Sequence, residues 1–187
     1  MYFEKGFMYH VYNRGNNGEK IFYSYSNYQY FIEKIDYHIL PFADVLTWCL
    51  MPNHFHLMIY VNRDKIFTIT INQSIGKMLS SYARAVNIQE SRTGSLFQQH
   101  SKAIRLNGNE RLKPSWFKKM GVTKMTNWNE NIDYPKICMN YIHLNPVQAG
   151  LILNIEDWRW SSFHEIYSKN TNIELVNLER LKSVVSL

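Results

Sequence analysis

One stretch restricts the fold of this chain more than any other: Met51-Pro52-Asn53-His54-Phe55-His56-Leu57-Met58-Ile59-Tyr60-Val61. Pro52-Asn53 is turn chemistry, and a proline cannot donate to a ladder, so it marks a strand boundary. After it, Phe55, Leu57, Ile59 and Val61 alternate with His54, His56, Met58 and Tyr60. That is the period of a strand, whose side chains take opposite faces in turn. The first set points into a core. His54 and His56 point the other way, with Cα atoms roughly 6–7 Å apart, near enough for both imidazoles to hold one metal ion. The apolar run 44–51 before the turn predicts a central antiparallel partner, joined to the histidine strand by a hairpin.

The rest of the chain supplies the elements that would surround this hairpin. Residues 7–14 are rich in β-formers and predict the first strand, closed by the turn Gly15-Asn16-Asn17-Gly18. That turn either lets backbone approach a phosphate or simply closes a loop. Ser26 and Gln29 have the spacing of a capping box. Tyr28, Phe31, Ile32, Ile35 and Ile39 follow as one helical stripe that ends before Pro41. Ile71, Ile75, Met78, Leu79, Tyr82 and Val86 form a second stripe, with Lys77 and Arg84 on its solvent side. Residues 95–106 predict a fourth strand. Strand, helix, strand, strand, helix, strand is the ferredoxin-like order: an α+β domain, antiparallel, with both helices on one face. The other face is expected to stay open, as in RNA-recognition domains, and to carry the histidines.

Residues 107–133 read as an irregular basic insertion, either clamping a nucleic-acid backbone or forming a solvated excursion. Asp133-Tyr134-Pro135 predicts a helix start, and Pro146 predicts its end near Leu144. Tyr141 and Asn145 are four residues apart and so share one helical face. Residues 157–162 predict a packed aromatic corner with a serine cap. The catalytic domain is read as 1–165, and 166–187 as a tail with a short helix.

With 187 residues and 45% apolar content, the chain can bury a real core, which excludes a disordered protein. Its 21 Lys and Arg against 15 Asp and Glu give a net charge of +6, which suits a polyanionic partner. Arg14, Lys102, Arg105, Lys118 and Lys119 are the candidate nucleic-acid contacts. The two cysteines have neither disulfide-scaffold nor zinc spacing and read as buried thiols. No apolar run reaches membrane-spanning length, so a soluble cytoplasmic protein is expected.

By spacing alone, the histidine pair is either half of a metal site or a hydrogen-bonded surface pair. Asn145 can offer an amide oxygen, a hard donor of the kind Mg²⁺ or Mn²⁺ accepts. A phenol one helical turn away, at Tyr141, can attack a phosphodiester and form a covalent phosphotyrosine. That linkage stores the bond energy, so rejoining needs no ATP.

These residues also carry a family resemblance. The 51–58 motif, followed far along by Asn140-Tyr141-Ile142-His143-Leu144-Asn145-Pro146-Val147-Gln148-Ala149-Gly150, resembles the HUH single-tyrosine transposases, in particular the REP-associated branch. Tyr9-His10-Val11-Tyr12-Asn13-Arg14-Gly15, Leu96-Phe97-Gln98 and Trp158-Arg159-Trp160-Ser161-Ser162 extend the match. The resemblance implies that His54 and His56 are paired metal ligands, Asn145 the third ligand and Tyr141 the nucleophile. It further implies Mg²⁺- or Mn²⁺-dependent cutting of single-stranded DNA beside hairpins, leaving a 5′-phosphotyrosine and a free 3′-OH. The REP-associated branch resembles a monomer with its tyrosine in cis, whereas the insertion-sequence enzymes are dimers that exchange the tyrosine helix. The Trp-rich tail favours the monomer, and a homodimer is the alternative. His10, His100, His143 and His164 are expected to be structural. A non-cleaving hairpin-binding protein and a zinc-dependent hydrolase are the competing readings.

Overall fold

The computed structural model describes residues 1–107, 118–119, 122–123, 133–168 and 171–185. Its elements run β1 (Met8–Arg14), α1 (Tyr25–His38), β2 (Ala43–Met51), β3 (His54–Val61), a two-rung ribbon of β4 (Lys65–Ile66) and β5 (Ile69–Thr70), α2 (Ile71–Gln89) and β6 (Lys102–Arg105). β7 (Lys118–Lys119), β8 (Val122–Thr123), α3 (Tyr134–Gln148) and α4 (Leu178–Val184) follow. The main sheet has the order β2-β3-β1-β6, antiparallel throughout, which is the expected ferredoxin-like arrangement. Most of 107–133 lies outside the described residues. So do the side chains of Lys118 and Lys119, whose backbone pairs with β8.

The alternation in β3 sorts the core as predicted. Phe55, Leu57, Ile59 and Val61 pack with Phe31 and Ile35 of α1 and with Ile75, Met78 and Tyr82 of α2. All six residues of the α2 stripe are buried. Two local boundaries differ from expectation. α1 starts earlier, with Ser24 as N-cap, because Asn27 Oδ1 accepts from the backbone N–H groups of Tyr23 and Ser24. The fourth strand shrinks to Lys102–Arg105, because Asn13 holds the preceding segment as a loop, donating to Gln98 O and to Ser101 Oγ.

The larger correction concerns the face expected to be open. α3 lies across it, and a second core forms there from Met8, Leu46, Cys49, Met51 and Met58 with Cys138, Met139 and Ile142. Met58 shares the histidine face of β3, so that face is polar at one end and apolar at the other. Leu181 and Val185, in and just after α4, close the same core. A β-bulge between Val45 and Thr47 brings Leu46 and Thr47 to the same side. Both cysteines are free and buried. Among the described residues, no helix is long and apolar enough to cross a membrane.

The C-terminal segment covers the edge of β2, which would otherwise offer an unpaired ladder. Leu50 N donates to Trp160 O, Ser162 N to Trp48 O, and Asn177 N to Val45 O. Trp160 stacks on Tyr28 with centroids 4.6 Å apart. Glu165 fastens the whole arrangement: its buried carboxylate accepts from Trp48 Nε1 at 2.6 Å, Leu175 N at 2.7 Å and Val176 N at 2.8 Å. Glu165→Ala would strand one indole and two backbone donors, and is expected to lower the unfolding free energy by about 3 kcal/mol or more. Urea denaturation of the variant against wild type measures this, and an unchanged midpoint would show that the tail needs no such clasp.

Candidate active site

Register places the site's residues before any side-chain detail is needed. Across the α3 face, Arg14 of β1 is directly opposite His54, and Tyr12 is opposite His56. Lys102 of β6 extends the second row beside Tyr12. Side chains directly opposite one another share a face, so Arg14, Tyr12, Lys102 and the two histidines form one surface. Arg105 pairs with Tyr9 and therefore stands on the other face. There it stacks on Phe7 at 3.4 Å and lies 3.7 Å from Glu4.

α3 brings the late residues to this surface. Asp133 caps it, accepting from Lys136 N at 2.9 Å, and Pro135 occupies the first turn, where its missing N–H is harmless. Pro146 does not end the helix, contrary to expectation. It lies inside the last turn, and the helix runs on to Gln148, turned away only at Gly150, whose φ is +70°. Leu151 N bonds Pro146 O and Gly150 N bonds Val147 O, a Schellman closure. A proline φ is compatible with helix, and one lost hydrogen bond so near the end is tolerated once the closure satisfies the last carbonyls. The extra turn matters, because it keeps Asn145 in helical register with Tyr141.

Asn145 then sits between the two histidines. Its Oδ1 lies 3.1 Å from His54 Nε2, and its Nδ2 lies 3.3 Å from His56 Nε2. Asn53 fixes the far side of His54. Asn53 Nδ2 donates to Gly18 O, so its Oδ1, 2.6 Å from His54 Nδ1, must accept. His54 therefore carries its proton on Nδ1, and its Nε2 lone pair meets the Asn145 carbonyl oxygen across 3.1 Å. Burial holds the His54 pKa below its ordinary value, with the Asn145 contact partly opposing that and Arg14 adding repulsion, which disfavours double protonation as the relief of this contact. Two facing lone pairs repel unless a cation is shared between them. Two imidazole nitrogens and an amide oxygen thus form a donor set suited to a small divalent ion. No group of three or more His, Cys, Asp or Glu that could hold a metal occurs among the described residues.

The Tyr141 ring stands edge-on to His56, centroids 5.4 Å apart, and 6.2 Å from His10. Burial raises its pKa and a hydrogen bond with Asn145 partly opposes that. Tyr12 packs on His10 at 4.9 Å and on His56 at 5.7 Å, with Lys102 Nζ 5.8 Å from its ring.

No protein-family model matches the sequence, and no curated protein does. Among solved structures, a REP-associated tyrosine transposase bound to a REP hairpin superposes with a TM-score of 0.61 at 15% identity, over 100% of this chain and 92% of that one. The fold is that of a REP-associated tyrosine transposase. A bacterial tRNA(His) guanylyltransferase-like protein in complex with GTP aligns at 10% identity over 82% of this chain and 72% of its own, with a TM-score of only 0.38.

Within this transposase fold, His54, His56, Tyr141 and Asn145 meet within a single chain. Arg14 and Lys102 flank them, and Arg105 does not. Four further residues contribute: His10 and His143 were expected only to be structural, and Asn53 and Tyr12 were given no role at the site. His10 contacts His56 Nδ1 at 2.9 Å. Asn53 orients His54. Tyr12 walls the site. His143, 2% exposed, meets both Thr47 Oγ1 and Ser162 Oγ at 2.8 Å and so pins α3 to β2 and the tail. Ser162 spends its hydroxyl in that network rather than on a helix cap. At Gly15 a Cβ would collide with Glu19 O, and Gly15 N bonds Asn53 O, which ties the turn after β1 to the β2–β3 hairpin.

Burial holds His10 and His143 down to about 3, and His56 well below its ordinary value. All three folded values lie below the unfolded one, so the unfolded chain binds the extra protons. Stability is then full above the unfolded value of about 6.5 and falls as pH drops below it. The expected loss is about 1.4 kcal/mol per pH unit for each histidine until its folded value is reached. Urea denaturation in EDTA at pH 7.5, 6 and 5 measures it, and a flat profile would contradict the buried neutral rings.

Proposed function

We propose that the protein is a metal-dependent single-stranded DNA endonuclease and strand transferase that acts beside hairpins through a 5′-phosphotyrosine, as in DNA transposition. The observation that carries this is the convergence, in one chain, of the Tyr141 phenol with a donor set of His54 Nε2, His56 Nε2 and Asn145 Oδ1. The solved neighbour of the same fold holds a REP hairpin, which supports hairpin DNA as the partner.

His54, His56 and Asn145 would hold Mg²⁺ or Mn²⁺, which when bound would polarise the scissile phosphate and offset its developing charge. Arg14 and Lys102 hold the phosphodiester on either side of that point, each supplying a charge-assisted hydrogen bond. Tyr141 Oη attacks phosphorus and the P–O3′ bond breaks. The phenol's proton is lost and the 3′ oxygen gains one, so the step balances without a co-reactant. A free 3′-OH attacking the phosphotyrosine reverses it and rejoins DNA. Burial keeps the phenol neutral until substrate arrives, and the Asn145 hydrogen bond favours the phenolate as the proton departs. With the tyrosine in cis, a monomer in the cytoplasm carries a whole site. Lys118 and Lys119 would contact DNA further along the backbone.

Incubation with a single-stranded hairpin oligonucleotide carrying single-stranded flanks, in Mn²⁺, is expected to yield an SDS-resistant covalent adduct. Tyr141→Phe should abolish it, EDTA should prevent it, and Arg14→Ala should slow it about tenfold or more. An adduct formed by the Phe variant would overturn the nucleophile. Binding of the hairpin with no adduct by wild type would favour the non-cleaving reading, and cleavage to a free 5′ end the hydrolase.

A further inference from the structure

The metal-dependent reading leaves one buried side chain at the site without a part. His10, on β1, is 1% exposed and lies diagonal to His56 across the strand pair, with its Nε2 2.9 Å from His56 Nδ1. The rings are 5.0 Å apart and inclined by only 28°, the disposition of an in-plane hydrogen bond between imidazoles. Tyr12 stacks on the His10 ring, inclined by 26°, which holds that plane. We propose that His10 is a positioning residue that fixes His56 in the tautomer whose Nε2 lone pair faces the divalent cation.

The direction of the proton follows from the partners on either side. Asn145 Nδ2 can only donate, and it lies 3.3 Å from His56 Nε2. His56 Nε2 therefore accepts, its single proton is on Nδ1, and it donates that proton to His10 Nε2. His10 in turn carries its own proton on Nδ1. The same logic, run through Asn53, puts the His54 proton on Nδ1. Both ligand histidines thus turn Nε2 lone pairs toward Asn145, one held by an amide oxygen and the other by a second imidazole.

A competing network exists. Reversing the Asn145 amide while moving the shared proton to His10 Nε2 would satisfy every bond and also relieve the lone-pair contact between His54 Nε2 and Asn145 Oδ1, so it is the arrangement open to the chain without a cation. It would aim an N–H of His56 into the site, where no cation could bind. A cation at His56 Nε2 selects the first network, and His10, the only described partner of His56 Nδ1, supplies the acceptor that this network needs. An acceptor at this position is required, whereas a mere filler of the same volume would leave the tautomer unset. This inference rests on the metal-dependent reading, and its first measurement reads the tautomer rather than activity.

Long-range ¹H–¹⁵N correlation spectra of the full chain in saturating Mg²⁺ report which ring nitrogen of His56 is protonated. Nδ1–H in wild type is expected, and Nε2–H in a chain that binds the divalent ion would overturn the proposal. Mn²⁺ titration followed by loss of the free-ion EPR signal is the second measurement. His10→Leu, which has no acceptor, should weaken Mn²⁺ binding about 10–100-fold. His10→Gln, whose Oε1 can accept from His56 Nδ1, should restore most of that loss. Equal Mn²⁺ affinity in wild type and a folded His10→Leu would overturn the positioning role. A wild type that takes no Mn²⁺ would instead overturn the metal reading on which it rests. Thermal melts in EDTA establish that the variants are folded, and the wild-type spectrum decides the tautomer even if His10→Leu is not.

Discussion

The docking of α3 on the sheet is the contact from which the site follows, and two matched gradients set its register. Along β3, the α3 face runs from His54 and His56 to Met58. Along α3, the buried face runs from Cys138, Met139 and Ile142 to Asn145. Apolar residues meet apolar ones at one end, and amide meets imidazole at the other. Sliding the helix by one turn, about 5.4 Å, would press Asn145 against methionine and leave buried imidazoles unpaired. Each buried polar group so stranded costs about 1–3 kcal/mol. His143 adds a fixed point midway, between Thr47 and Ser162, and sits two residues from both Tyr141 and Asn145.

The donor set has to be built in this way because imidazole is a poor surface ligand when it is free to rotate. Each ring here is held by a partner on its far nitrogen, Asn53 for His54 and His10 for His56. Those partners are themselves buried or clamped, Asn53 by the turn at Gly15 and Gly18. The turn after β1, the hairpin between β2 and β3, and the last turn of α3 thus share one hydrogen-bonded network. Neutral buried rings keep their lone pairs free of protons, and they lose them only as stability is lost as well.

What was legible in the sequence was what local period encodes. The β3 alternation and the α2 stripe predicted their faces residue by residue, and the ferredoxin-like order came from counting them. α3 was legible as a helix but not as a cover for the sheet. Its apolar residues do not fall on one stripe: Ile142 is buried, while Ile137 and Leu144 are exposed. A proline rule about the preceding residue misplaced its end, because the rule does not see the closure that Gly150 makes possible. Ser24 and Ser26 were indistinguishable as caps until Asn27 showed which backbone it serves. The positions of His54, His56, Tyr141 and Asn145 were readable from spacing together with a resemblance. His10 and His143 were not, since their partners lie 46 and 96 residues away and a lone histidine carries no period.

A tyrosine on a helix pinned this firmly has a consequence for strand transfer on the proposed reading. Once DNA is attached to Tyr141, its 5′ end is held by a core, by His143 and by the tail that covers β2. An exchange of helices between subunits would have to break the second core and the Thr47–His143–Ser162 network together. Moving a free 3′ end breaks only hydrogen bonds and stacking to single-stranded DNA, and the Arg14 and Lys102 side of the site is where such an end would enter and leave. On that reading the nucleic acid is the mobile partner and the tyrosine helix the fixed one, because moving the helix would strand buried apolar and polar groups together.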